Sequence, residues 1–158
     1  WAEAERLRQQ ARTLREQGPA EADLDVRVLL RTGRLDEART ILERRAAEEQ
    51  QTTEPRPPRF HRETLLVLSL VHAFQGQAEA AFQCAQEGLI VGQRLASPFV
   101  EAVGYMRLGH AGQLHSHDEA RTCYEQAIAL AEAHALPRIQ VEAMWGLCLF
   151  HGVPGNMA

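Results

Sequence analysis

Apolar residues recur three or four positions apart along most of the chain, a spacing that predicts amphipathic helices. In the segment 35–49, for example, Ala38, Ile41 and Leu42 fall on one helical face. Glycine and proline divide the chain at intervals, and no Asn-Gly or Asp-Gly pair that would favour a β-hairpin occurs. The pattern predicts seven or eight helices, over residues 2–17, 20–31, 35–49, 61–75, 78–95, 99–114, 118–134 and 137–151.

One segment interrupts the helical pattern. Pro55, Pro57 and Pro58 stand close together in it, and proline is excluded from a helix interior because it lacks the backbone N–H and clashes with the preceding turn. We interpret this stretch, residues 51–60, as a solvated connector. A proline-rich recognition motif is the alternative.

Three segments of the chain align with one another, namely residues 32–46, 75–89 and 115–129. Each contains an alanine at the same position: Ala38 and Ala81 are 43 residues apart, and Ala81 and Ala120 are 39 apart. The repeated unit is a helix, a tight turn and a second helix. Because one helical hairpin cannot bury its apolar face alone, we expect stacked hairpins with these alanines where neighbouring helices approach closely.

The third copy resembles the tetratricopeptide-repeat family. Tyr105, Leu108 and Gly109 stand where the first helix of that family has W-x-x-L-G. The small, aromatic and small positions of its second helix are occupied by Ala120, Tyr124 and Ala127. The resemblance covers roughly residues 20–151 and implies an all-α fold, an α-α superhelix of about three and a half stacked helical hairpins. HEAT or armadillo repeats, whose period is closer to 40, are the structural alternative.

The repeat divides the chain into parts of one helical-repeat domain, residues 1–158. Because the first residue is Trp1 rather than Met, we expect this domain to belong to a longer protein. The predicted parts are a leading helix (1–19), repeat 1 (20–50), the proline-rich loop (51–60), repeat 2 (61–97), repeat 3 (98–136) and the first helix of repeat 4 (137–151).

The period of the repeat, about 40 residues, is longer than the 34 of tetratricopeptide repeats. Longer repeats with sequences such as GRLDEARTILERRA resemble the helical sensor regions of MalT-like and LuxR-type ATP-dependent bacterial transcriptional regulators. This resemblance implies a cytoplasmic, non-catalytic module that receives a protein, peptide or small effector and contacts neighbouring domains of its own chain. A generic protein-interaction scaffold and a small all-helical enzyme are the alternatives.

Composition narrows the chemistry that this segment can perform. All 17 basic residues are arginine, so the lysine-dependent phosphate-loop, Schiff-base and kinase sites are excluded from it. The net charge is −4, and no part is strongly basic, which argues against a nucleic-acid surface. No apolar run is long enough to span a membrane.

The sequence also contains no recognisable catalytic or metal-binding motif. Cys84, Cys123 and Cys148 are widely spaced, which favours a reducing compartment and a structural role for the thiols. His115 and His117 lie two residues apart beside Asp118, which we interpret as a polar turn with Asp118 capping a helix. We therefore predict no metal, no cofactor and no enzyme activity.

The resemblance to tetratricopeptide repeats implies a concave groove lined by the first helix of each unit. Clamps of this family that hold a chaperone's C-terminal carboxylate use lysine and asparagine. Since the chain has no lysine and its one asparagine is Asn156 in the tail, we do not expect that partner. An apolar strip with arginine at one end instead fits a peptide or helix with acidic character. The groove residues implied are Arg27, Arg31, Glu63, Leu66, Leu70, Phe74, Arg107, His110 and Glu142.

Overall fold

The computed structural model describes residues 19–51, 56–113 and 117–151, together with the isolated positions Glu3, Glu5 and Arg6. Within these residues all regular secondary structure is helical, which confirms the predicted all-α class for this part of the chain. The predicted leading helix lies outside the described residues apart from those three positions. The helices are α1 (Pro19–Arg31), α2 (Leu35–Gln51), α3 (Thr64–Phe74), α4 (Ala78–Arg94), α5 (Pro98–Gly112), α6 (His117–Ala133) and α7 (Pro137–His151), with a 3-10 turn at Phe60–Arg62.

Four of the connections between helices share one backbone motif. In the first, Gly33 has a φ of 72°, and the N–H of Arg34 donates to the carbonyl of Leu29 at 2.9 Å. This Schellman turn satisfies carbonyls at the end of a helix that would otherwise lack donors. The same bond pattern follows a residue of positive φ at Gly76, Ala96 and Ala135.

The beginning of α3 differs from the prediction of a helix over 61–75. Phe60 has a φ of 59°, and Glu63 has φ −57° and ψ 129°, so the chain turns twice before the helix starts at Thr64. The Glu63 carboxylate accepts hydrogen bonds from the backbone N–H of Arg59 and from the side chain of Arg56. These contacts hold the segment before α3 in a non-helical path, which the apolar spacing does not report.

The remaining boundaries agree with the sequence pattern to within two residues. In the predicted loop, α2 reaches Gln51, residues 52–55 lie outside the described residues, and residues 56–59 have no regular secondary structure. Asp118 lies in the first turn of α6, which begins at His117, so it is not the residue that precedes the helix as a cap.

Each helix packs on the next one in chain order, and contacts also join α3 to α5 and α5 to α7. Contacts between alternate helices therefore link α3, α5 and α7 in series. Ala38, Ala81 and Ala120 are each 0% exposed, which confirms the burial predicted for the three repeat alanines. At the α5–α6 contact, a Cβ atom on Gly112 would lie only 3.2 Å from the Cα of Ala120, so small residues allow this close approach.

The described apolar residues form two buried clusters. One, around Val26, Leu42 and Val71, lies between α1, α2 and α3. The other joins α3 to the later helices and includes Met106 and the fully buried Tyr124. Among the helices that the structure describes, none combines the length and apolar character needed to cross a membrane.

Candidate functional site

Three of the predicted groove residues come together where α5 faces α7. On α5, Nη1 of Arg107 donates to Nδ1 of His110 at 3.2 Å. Glu142 on α7 is close enough that its negative charge acts on the pKa of Arg107. The sequence places these residues up to 35 positions apart, and the packing of alternate helices unites them.

The positive charge and the hydrogen-bond donors of the Arg107 guanidinium have few partners among the described residues. Its Nε atom is buried without a hydrogen-bond partner, although the side chain as a whole is partly exposed. Burial lowers the pKa of Arg107, and the charge of Glu142 opposes that effect. The carboxylate of Glu142 is itself bonded to Nε of Arg138 at 2.9 Å. Within the described part of the chain, no ion pair joins Arg107 to a carboxylate.

His110 is the polar neighbour that orients Arg107. Burial, followed by the charge of Arg107, lowers the pKa of His110 to about 4. The ring is therefore neutral near pH 7, and because Arg107 always donates, Nδ1 of His110 accepts and Nε2 carries the proton. The imidazole also packs edge-on against the ring of Tyr124, with centroids 5.6 Å apart.

The buried ring of Tyr124 packs beside Arg107 and His110. Its hydroxyl accepts a hydrogen bond from Nε2 of Gln113 at 2.9 Å, and burial raises the pKa of Tyr124. The ring lies between two glycines: a Cβ atom on Gly109 or Gly146 would lie 2.7 Å or 2.5 Å from it. Such a tightly enclosed ring cannot move far, so it fixes the position of the His110 edge.

Further arginines face the same region. The pKa of His61 is lowered first by burial and then by the positive charges of Arg138, Arg62 and Arg27, while Glu142 opposes them. Charges from α1, the 3-10 turn and α7 therefore all lie within electrostatic range of His61. We call the residues Arg27, Arg62, Arg107 and Arg138 the arginine surface.

Aromatic rings lie beside the arginine surface, next to His61. Phe60 is 46% exposed, and its ring packs edge-on against Phe99 with centroids 5.2 Å apart. His61 also contacts the Phe99 ring, at a centroid distance of 6.3 Å. Arginine and exposed aromatic rings are enriched where proteins bind partners, so this composition fits a binding surface.

The other predicted groove residues are distributed differently. Arg27 and Arg31 are exposed on α1, Leu70 is partly buried, and Phe74 at the end of α3 is 62% exposed. Leu66 and Glu63 are corrections: they are 0% and 1% exposed and do not line an open surface. Leu66 is in the apolar core, and Glu63 is held by an internal ion pair.

That ion pair belongs to a second polar group, which we call the Glu63 cluster: Glu49, Arg56, Arg59, Glu63 and Thr64. Nη2 of Arg56 donates to Glu63 at 2.7 Å, and Nη1 of Arg59 donates to Glu49 at 2.6 Å. The hydroxyl of Thr64 also donates to Glu49, at 2.7 Å. Two arginines are thus matched by two carboxylates, which connect the end of α2, the loop and the start of α3.

The sequence pattern does not reveal the Glu63 cluster, because Arg56 and Arg59 lie in a segment whose prolines predict a solvated connector. A usable signal was present: Glu63 directly precedes the strongly apolar run of α3, where a charged residue needs a partner. The partners themselves come from the loop and from Glu49, so spacing alone did not identify them.

Within the described residues, no group of three or more His, Cys, Asp and Glu side chains is arranged to hold a metal ion. The predicted polar turn at His115 lies outside those residues. The described cysteines are free thiols, and burial raises the pKa of Cys84 to about 11, so this thiol is protonated near pH 7.

Comparison of the chain with protein-family models, with curated proteins and with solved structures finds no match. The arginine surface is therefore the main indication of function.

Proposed function

We propose that this chain is a non-catalytic binding module built as a tetratricopeptide-like superhelix. Two observations support the proposal: α3 contacts α5 and α5 contacts α7, and the repeat alanines are fully buried. If the odd-numbered helices form the inner side of a curved stack, Arg107 and Glu142 line its concave face. A concave face built from several helices suits a peptide, protein or small effector.

The observation that carries the proposal is the incomplete compensation of Arg107 on the arginine surface. The neighbouring groups favour binding over catalysis. His110 has a pKa of about 4 and is already engaged by Arg107, and the Tyr124 hydroxyl is buried against Gln113. Neither group is therefore suited to exchange a proton with a substrate near pH 7.

We further propose that the module is the sensor region of a MalT-like or LuxR-type bacterial transcriptional regulator in the cytoplasm. Its support is the sequence resemblance of the repeats. Binding would change the populations of two arrangements of the helices against neighbouring domains of the same chain. Reading the gene upstream of residue 1 tests this role. A phosphate-loop sequence there supports it, and its absence contradicts it.

A thermal-shift screen of effectors and peptides tests the binding function itself. We expect a ligand to raise the melting temperature of the parent chain. The double substitution Arg27→Glu with Arg31→Glu on α1 should reduce that shift without changing helical circular dichroism. The matched control is Arg121→Glu on α6, which should retain the shift. If no ligand or partner raises the melting temperature, the binding function is contradicted.

A further inference from the structure

We propose that Arg107 holds a carboxylate group of the ligand, in a site formed with His110 and backed by Tyr124. This inference rests on the proposed binding function and names the chemistry that the arginine surface recognises. The ligand is thus an acidic molecule or an acidic peptide segment rather than a neutral one.

The first argument is the contrast between Arg107 and other arginines of the described chain. Arg56 and Arg59, which are also partly buried, contact carboxylates at 2.7 and 2.6 Å. Even the more exposed Arg138 is paired, with Glu142. Within the described residues, the polar contact of Arg107 is the neutral ring of His110, and its Nε atom is buried without a partner.

The second argument is the cost of removing a charge from water. A guanidinium stays charged at all ordinary pH values, so a desolvated arginine without a countercharge lowers stability. His110 cannot supply a negative charge, but its Nδ1 lone pair fixes one edge of the guanidinium. Because Nε is itself buried, the fork available to a ligand consists of the N–H groups of Nη1 and Nη2 that His110 does not use, and their spacing matches the two oxygens of a carboxylate.

Charge balance favours a carboxylate over a phosphate. Of the cations close to Glu142, Arg138 is already bonded to it. One uncompensated positive charge on Arg107 matches the single negative charge of a carboxylate. A phosphate dianion carries a second negative charge, which the nearby carboxylate of Glu142 would repel.

The experiment uses the complete 158-residue chain and isothermal titration calorimetry. Two carboxylate probes distinguish the sources of the group: succinate represents a small acid, and an acetylated, amidated tetraglutamate peptide represents an acidic protein segment. Succinamide and inorganic phosphate are the controls for charge and for geometry. We expect one of the carboxylate probes to bind and both controls to bind more weakly.

Substitutions then locate the site. Arg107→Gln should weaken binding of the carboxylate probe about tenfold or more, because a charge-assisted hydrogen bond is lost. Arg107→Lys should restore part of the affinity, since it keeps the charge but not the fork. Glu142→Gln should strengthen binding, because it removes a nearby negative charge. The matched control is Arg94→Gln, an exposed arginine on α4, which should bind like the parent.

Circular dichroism and thermal melting of each variant show whether it is folded. Binding that requires Arg107 supports the inference, and the probe that binds identifies the source of the carboxylate. The inference is overturned if neither probe binds, or if Arg107→Gln binds as tightly as the parent. A neutral effector that stabilises parent and Arg107→Gln equally would also overturn it, while leaving the proposed binding function intact.

Discussion

Two sites of the described structure that contain partly buried arginines can be compared, the Glu63 cluster and Arg107. In the Glu63 cluster, Arg56 and Arg59 each contact a carboxylate. At Arg107, the carboxylate whose charge acts on the guanidinium is Glu142, which is itself bonded to Arg138. The difference teaches that the same residue type has two roles: matched arginines stabilise the chain path, whereas an unmatched arginine destabilises the free chain and is available to a ligand.

The largest expected effect is at the matched group. Glu63→Gln removes the charge that Arg56 contacts at 2.7 Å and weakens the acceptor of the Arg59 N–H. We expect the free energy of unfolding to fall by about 3 kcal/mol, because the buried carboxylate is lost and Arg56 keeps only its longer contact with Glu49, at 3.5 Å. Urea denaturation measures this change.

The matched control for Glu63→Gln is Glu125→Gln on the exposed face of α6. Glu125 pairs with Arg121, and both side chains are more than half exposed, at 57% and 52%. Removing this surface pair should change stability by less than about 1 kcal/mol. Equal losses in the two variants would mean that burial does not distinguish the Glu63 pair.

The second effect is a pH dependence at the unmatched group. The pKa of His110 is about 4 in the folded chain, against an ordinary value of 6.5 in the unfolded chain. Below pH 6.5 the unfolded state binds a proton that the folded state does not, so stability is lost as the pH falls from 6.5 to 4. The loss should reach up to about 3 kcal/mol, and pH-dependent urea denaturation measures it.

His110→Gln should flatten much of that pH dependence, although His61 contributes with the same sign because its pKa is also lowered. His134→Gln, at an exposed histidine beyond α6, is the control and should leave the pH profile unchanged. A His110→Gln profile as steep as that of the parent would show that burial and the charge of Arg107 do not keep His110 neutral.

The third effect concerns the packing of the Tyr124 ring against Gly146. A Cβ atom on Gly146 would lie 2.5 Å from the Tyr124 ring, so Gly146→Ala overpacks that contact. We expect a loss of about 2 kcal/mol in thermal or urea unfolding. An unchanged stability would indicate that the Tyr124 ring can move, and with it the edge that positions His110.

The smallest effect has the opposite sign and is the sharpest test of the comparison. Arg107→Met replaces an unmatched cation by an apolar side chain of similar length. We expect the unliganded chain to gain about 1 kcal/mol of stability, whereas Arg56→Met in the Glu63 cluster should lose stability. If Arg107→Met is as destabilising as Arg56→Met, the two groups do not differ in the way described.

The sequence predicted the helices well where the signals are local. The ends of α1 and α7 coincide with the predicted residues, and the beginning of α4 does too. Apolar spacing and the residues of the turns act within a few positions, so they can be evaluated without the rest of the chain. The predicted start of α3 was wrong, because contacts from Arg56 and Arg59 to Glu63 determine where this helix begins.

The prediction of the groove residues agrees with the structure only in part. Arg107, His110 and Glu142 come together, but Leu66 and Glu63 are inside the protein. The type of a residue on a predicted helix does not tell whether its side chain faces a neighbouring helix or water. The rotation of each helix against its neighbours decides between the two, and spacing along one helix does not contain that information.

By itself the sequence determined the all-α class of the described residues and the burial of the repeat alanines Ala38, Ala81 and Ala120. Only the tertiary structure decided which arginines have carboxylate partners. Helix formation depends on bonds between residues a few positions apart, whereas the compensation of a charge depends on groups brought from distant helices. The fold brings Glu49 to Arg59, and these two side chains form an ion pair. It brings no carboxylate of the described chain into an ion pair with Arg107.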